Sequence, residues 1–225
     1  MESAFANTNI HVIKKVEKVK SKGSWGKYLN KCIVPGHLYI VEQAPNLMAS
    51  CLYNIHKPML VFSSKACGGQ LLMEAAENEI KISLSKLNDN ETYTSAKEMI
   101  VCKKLGELEK KLIWIDESEK LMAINLYSRC QKLKTEHDLQ VVLIDDYQFL
   151  VDDYFHEISD ELSLTVLHKL AEKMGIAVIA QKCPIEETHE AGNKGYTSEP
   201  VFYDKWWEDT PKRNHNNSIF DYWEQ

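Results

Sequence analysis

Five short apolar runs punctuate the chain: LYIV at 38–41, MLVF at 59–62, LIWI at 112–115, VVLI at 141–144 and IAVIA at 176–180. Each is rich in aliphatic or β-branched residues and lacks polar alternation. Such runs read as strands of a parallel sheet that is covered on both faces. Between them the apolar residues recur at helical spacing. The segment 70–81, QLLMEAAENEIK, has one apolar face, and 121–136 sets Leu126, Cys130 and Leu133 on another. Leu164, Leu167, Leu170, Ala171 and Met174 form a further stripe that Gly175 closes. Residues 81–110 read as mainly helical, with a cap near Ser95 and a weak point at the Lys-Leu-Gly of 104–106. Pro35-Gly36 marks a turn before the first strand, and Gly68-Gly69 interrupts the chain before a helix. Strand–helix alternation predicts an α/β fold with a mostly parallel central sheet and helices outside it.

Two segments depart from this rhythm. Residues 11–31 carry seven lysines against one glutamate, among them Lys14, Lys15, Lys18, Lys20, Lys22 and Lys27. Val12, Val16 and Val19 stand at helical spacing there, so a short amphipathic helix is expected, either a solvated lead-in or a contact for nucleic acid or an acidic partner. From Lys182 onward the periodicity is lost. Phe202, Tyr203, Trp206, Trp207, Phe220, Tyr222 and Trp223 crowd this tail. So many aromatics need cover, on the sheet edge or on a partner. The expected organisation is a basic lead-in over 1–34, a core over 35–181 and an aromatic tail over 182–225.

The candidate chemistry sits at strand ends. The 141–144 run stops at Asp145 and Asp146. In open α/β sheets, ligands bind at the carboxyl ends of the strands, and there an aspartate holds the water shell of Mg²⁺. A solvated strand end or a helix cap is the alternative role. The strand at 38–41 is followed by a loop and a helix, which is where a phosphate cradle would lie. A working cradle needs glycine for close backbone approach and lysine for the terminal phosphates. This loop reads Ala44, Pro45, Asn46, Leu47, Met48, Ala49, Ser50 and has neither.

Charge narrows the function classes. The chain has 225 residues and a net charge of -6, which argues against a protein coated for duplex DNA, although a local basic patch stays compatible. Seven acids and no Lys or Arg lie between Asp145 and Glu161. His156-Glu157 with Asp160 lacks the second histidine of a zinc-protease helix, so no metal is expected there. None of Cys32, Cys51, Cys67, Cys102, Cys130 and Cys183 stands in a Cys-x-x-Cys pair. They read as free thiols of a reducing cytoplasm. No apolar run approaches the length of a membrane span, and the opening MESAFANTNI lacks the basic start and apolar core of a signal peptide. A cytoplasmic location is expected.

The ordered series of segments resembles the C-terminal, RecA-like ATPase domain of DnaB-type replicative helicases. PGHLYIVEQAP looks like the strand entering that family's phosphate loop, and MLVFSSKA stands where its next strand does. LYSRCQKLKTEHDLQVVLIDDYQFL is similar to its helix and aspartate-bearing strand, and HEIS with LHKLAEKMGIAVIA follows in order. The resemblance covers about Pro35 to Ile179, without the family's N-terminal helical domain. It implies a three-layer RecA-like fold in the class of P-loop NTPases.

The resemblance also implies where the chemistry is altered. The family's glycine, lysine and threonine fall on Met48, Ala49 and Ser50, and its arginine before Pro45 falls on Ala44. The carboxylate that activates water falls on Lys65. The glutamine-leucine-asparagine-arginine after a later strand falls near Cys183, Pro184, Ile185 and Glu186, and no arginine finger is recognisable. The metal-holding aspartate persists as Asp145, with Gln148 nearby. Loss of lysine and base together predicts a domain that does not hydrolyse ATP. The expected role is a scaffold or modulator in DNA replication or mobile-element maintenance. Its partner would be a replicative helicase or related ATPase, or a second copy. No cofactor is expected under this reading. The alternative is an unconventional nucleotide- or DNA-binding module, and only there do ATP and Mg²⁺ enter.

Overall fold

The computed structural model describes residues 10–13, 24–42, 44, 46–64, 66–80, 95–118, 120–152 and 156–182. Their elements, in order, are β1 (Ile10–Ile13), α1 (Ser24–Cys32), β2 (Leu38–Glu42), α2 (Leu47–Asn54), β3 (Met59–Phe62) and α3 (Gly68–Ile80). Next come α4 (Ser95–Glu109), β4 (Ile113–Asp116), β5 (Leu121–Met122), α5 (Ala123–His137) and β6 (Val141–Ile144). A 3₁₀ turn (Tyr147–Phe149), β7 (Leu150–Val151), α6 (Asp160–Met174) and β8 (Ala177–Lys182) complete them.

Among the described residues six strands form one sheet in the order β1-β2-β8-β6-β3-β4, and every pairing among them is parallel. β6 lies between β8 and β3, as its four buried apolar residues require. The register sets one row of inward side chains across the sheet: Tyr39, Ile179, Leu143, Val61 and Ile115. This row packs into a cluster with Leu29 of α1, Leu52 of α2, Leu71 of α3 and Leu108 of α4. Alternation sends Ile40, Leu60, Val142 and Val178 to the opposite face. There α6, buried through Val166, Leu167, Leu170 and Ala171, packs against β8, β2 and α5. The result is three layers, helix–sheet–helix, with strand carboxyl ends along one rim. β5 and β7 pair separately, also in parallel.

The five expected strands are present at 38–42, 59–62, 113–116, 141–144 and 177–182. α6 ends as its sequence requires, with Gly175 left-handed (φ 59°) and donating to the carbonyls of Ala171 and Glu172. Three local expectations are corrected. Val12 lies in a strand, not a helix: β1 is added to the sheet edge beside β2, while Val16 and Val19 lie outside the described residues. Gly106 does not break α4, which runs through to Glu109; a helix-interior glycine costs only about 1 kcal/mol. Gly68 and Gly69 do not precede the helix expected from 70 but form the start of α3, and the Gly68 N–H donates to Glu117 Oε1 at 2.5 Å. The aromatic tail lies outside the described residues. Among the described residues no helix is long and apolar enough to cross a membrane.

Candidate functional site

The rim of the sheet gathers one cleft, of about 300 Å³, from four strands and two helices. Its first wall is Asp145 at the end of β6. The carboxylate is 8% exposed and is held from the end of β3. Ser63 Oγ and the Ser64 N–H donate to Oδ2, each at 2.9 Å, and Ser64 Oγ donates to Oδ1 at 3.3 Å. The neighbouring Asp146 turns to a different task. Its Oδ1 accepts the Gln148 N–H at 3.1 Å and caps the 3₁₀ turn. Gln148 is therefore fixed through its backbone and does not line the cleft.

The second wall is the β2–α2 turn. Asn46 adopts a left-handed conformation (φ 59°), which lets the chain enter α2 with the Ser50 N–H donating to the Asn46 carbonyl at 2.9 Å. Met48, Ala49 and Ser50 are all buried in the first turn. Met48 and Ala49 face the cleft. Ser50 does not line it: its Oγ accepts the Gly26 N–H of α1 at 2.9 Å. The two helices meet backbone to backbone there, since a Cβ on Gly26 would lie 2.0 Å from the Ser50 carbonyl oxygen. The hydroxyl that would meet a metal in a working phosphate loop is thus engaged in helix packing.

The remaining walls come from Ser63, from Gln70 and Glu74 of α3 and from Gln181 of β8. Two carboxylates, Asp145 and Glu74, face the space, with no Lys or Arg among its described lining residues. A triphosphate placed there would meet negative charge without a compensating cation among the described residues. Pro45 and Lys65 lie outside the described residues, as do Lys14, Lys15, Lys18, Lys20 and Lys22. Lys27 is exposed on α1.

The acidic stretch after β6 is less uniform than its sequence. Lys182 of β8 reaches Asp160 with Nζ–Oδ2 at 2.6 Å, and this bond holds its ammonium above the ordinary lysine range. Linear reading misses the pair because the residues are brought together only by α6 packing on β8. His156 is tied to Asp152, its N–H donating to Oδ1 at 2.8 Å. Among the described residues no group of three His, Cys, Asp or Glu could hold a metal ion. Cys51 and Cys130 are buried, Cys67 and Cys102 exposed, and all are free thiols.

The family model for the DnaB-like helicase C terminal domain matches residues 41–184, more than half of the chain. The chain belongs to that family. Solved structures agree on the fold. One solved ATPase domain is similar with a TM-score of 0.56 and 16% identity, over 64% of this chain and 56% of that one. A second structure, of a DnaB-like replicative helicase and its interactions with primase, has a TM-score of 0.59 and 15% identity, over 74% of this chain and 45% of that one. This DnaB-family chain therefore spans about half the length of those relatives. No curated protein matches it. The matched interval runs from the end of β2 through β8, so it encloses every described wall of the cleft.

Proposed function

We infer that this DnaB-family domain keeps the ATPase fold without ATP hydrolysis and serves as a scaffold or modulator in DNA replication or mobile-element maintenance. One observation carries the reading. Where a phosphate loop presents glycine and lysine, the cleft presents Met48 and Ala49, opposite two carboxylates and with no described Lys or Arg in its lining. Phosphoryl transfer depends on cations and oriented donors around the β and γ phosphates, and Asp145 alone supplies neither. The role then rests on surfaces, through a replicative helicase, a related ATPase or a second copy. The DnaB-like replicative helicase described with its interactions with primase makes a protein partner the fitting class. The net charge of -6 makes DNA contact weak and salt-dependent.

Calorimetry with ATP and Mg²⁺, followed by a phosphate-release assay, tests this. The expected result is neither micromolar binding nor release above buffer. Turnover that disappears in Asp145→Ala would overturn the reading. A second reading is favoured by one feature, the intact Ser63–Ser64–Asp145 network. It is that of an unconventional nucleotide-binding module, and micromolar binding without turnover is its signature.

A further inference from the structure

Among the described residues β1 is the outer strand on its side of the sheet, four residues long, with β2 as its strand neighbour. One side-chain bond adds to its ladder. His11 Nε2 and His37 Nδ1 lie 2.8 Å apart, their rings meeting edge to edge with centroids at 5.1 Å and planes 6° apart. The other partner of His11 is the Tyr39 ring, stacked at 5.1 Å. The geometry points to a proton-operated clasp: the imidazole pair His11–His37 holds β1 on β2 and releases it when both rings are protonated.

The chemistry of the bond sets the condition. A facing pair of ring nitrogens needs one N–H and one lone pair. Two neutral imidazoles satisfy this, and so does a pair sharing a single extra proton. Two imidazolium rings do not, because no acceptor is left and like charges face each other at contact. The groups that face the pair give no relief. Among the described residues they are Tyr39 of β2 and His168 of α6, whose Nε2 is buried without a hydrogen-bond partner there. Burial, then the charges of His11 and His168, hold His37 below the ordinary imidazole value of 6.5. A proton is therefore bound more tightly after release than before it. Docking strength is full above about that value and is lost as pH falls through the depressed one. Short edge strands sit at the weak end of local stability, so a small repulsion suffices. Release would uncover the edge of β2, Leu38–Glu42, which then offers unpaired N–H and C=O groups to another strand.

Amide hydrogen exchange of the full chain, corrected for the intrinsic pH dependence of exchange, tests the clasp. Between about pH 7.5 and about pH 5, protection of 10–13 is expected to fall at least tenfold while β6 stays protected. In His11→Phe, which keeps a ring to stack on Tyr39, protection of β1 should not change over that range. His37→Gln, which retains a hydrogen-bonding side chain, decides the case in which the first variant leaves β1 unpaired throughout. The clasp is overturned by pH-independent protection in the wild type, by parallel loss in β6, or by an unchanged pH response in the deciding variant.

Discussion

The two ends of α2 have opposite fates. A helix presents partial positive charge at its first turn and partial negative charge at its last. At the last turn the complement is present: Lys111 Nζ donates to the carbonyls of Leu52 (2.9 Å), Tyr53 and Ile55 (3.3 Å). At the first turn, the end that faces the cleft, Asn46 makes no side-chain cap, and Met48 and Ala49 add apolar bulk. The structural end of the helix is completed from 58 residues away in sequence, and the end where an anion would bind is packed instead. The difference teaches that packing and phosphate binding are separable demands on one helix. Here the demand of packing is met in full.

The strongest test acts on the packed end. Gly26→Ala would drive a methyl group into the Ser50 carbonyl, where backbone cannot give way cheaply. Overpacking of this kind costs about 1–3 kcal/mol and occasionally more. Alanine returns up to about 1 kcal/mol as the better helix former. The expected net loss, the upper end of that cost less the helix gain, is about 2 kcal/mol by denaturant titration. A neutral result would mean that α1 does not hold the first turn of α2, and the contrast between the two ends would lose its basis.

A second variant asks whether the cleft end is lost only in its charge. Met48→Gly with Ala49→Lys puts an ammonium at a buried position beside the carboxylate-lined cleft. The expected cost is about 2 kcal/mol, from lost packing and a buried charge. Mg²⁺ with ATP should then return about 1.4 kcal/mol at tenfold excess over its dissociation constant, while the wild type stays unshifted in the same thermal melt. A variant that remains blind to ATP would place the loss deeper, in the Ser50 hydroxyl already taken by Gly26.

What was legible in the sequence follows the same division. β6 could be read because four buried apolar residues end in two acids, and a strand end carries its own local signal. Met48 and Ala49 could be placed at the rim because the turn lies between a clear strand and a clear helix. Contacts across the chain left no such mark. Nothing near Ser50 announces Gly26, and nothing near Asp160 announces Lys182. Gly68 reads as a breaker until Glu117, 49 residues on, is seen to accept its N–H. β1 was hidden for a different reason. Its valine shares helical spacing with Val16 and Val19, and a four-residue edge strand next to β2 wins over that pattern through tertiary pairing.

The smallest effect belongs to the capped end and is read by titration. Lys111 is half-buried. Desolvation lowers its ammonium from the ordinary 10.5 to about 8, against the upward pull of Glu107 and Glu79. Between about 8 and 10.5 the unfolded chain keeps this proton and the folded chain does not. The unfolded state binds more protons across that window, so the contribution of Lys111 to stability rises with pH there. Buried thiols act in the opposite sense, since Cys51 and Cys130 are held protonated above the ordinary 9.0. The clean quantity is therefore the difference between wild type and Lys111→Met. With rising pH above about 8, the wild type should gain on the variant. Titration of isotope-labelled lysine methyl groups, introduced by reductive methylation, should show one amine with a midpoint near 8. A midpoint near 10.5 would mean that the three carbonyls hold the ammonium more strongly than burial expels it. The capped end of α2 would then be more polar than its packing suggests.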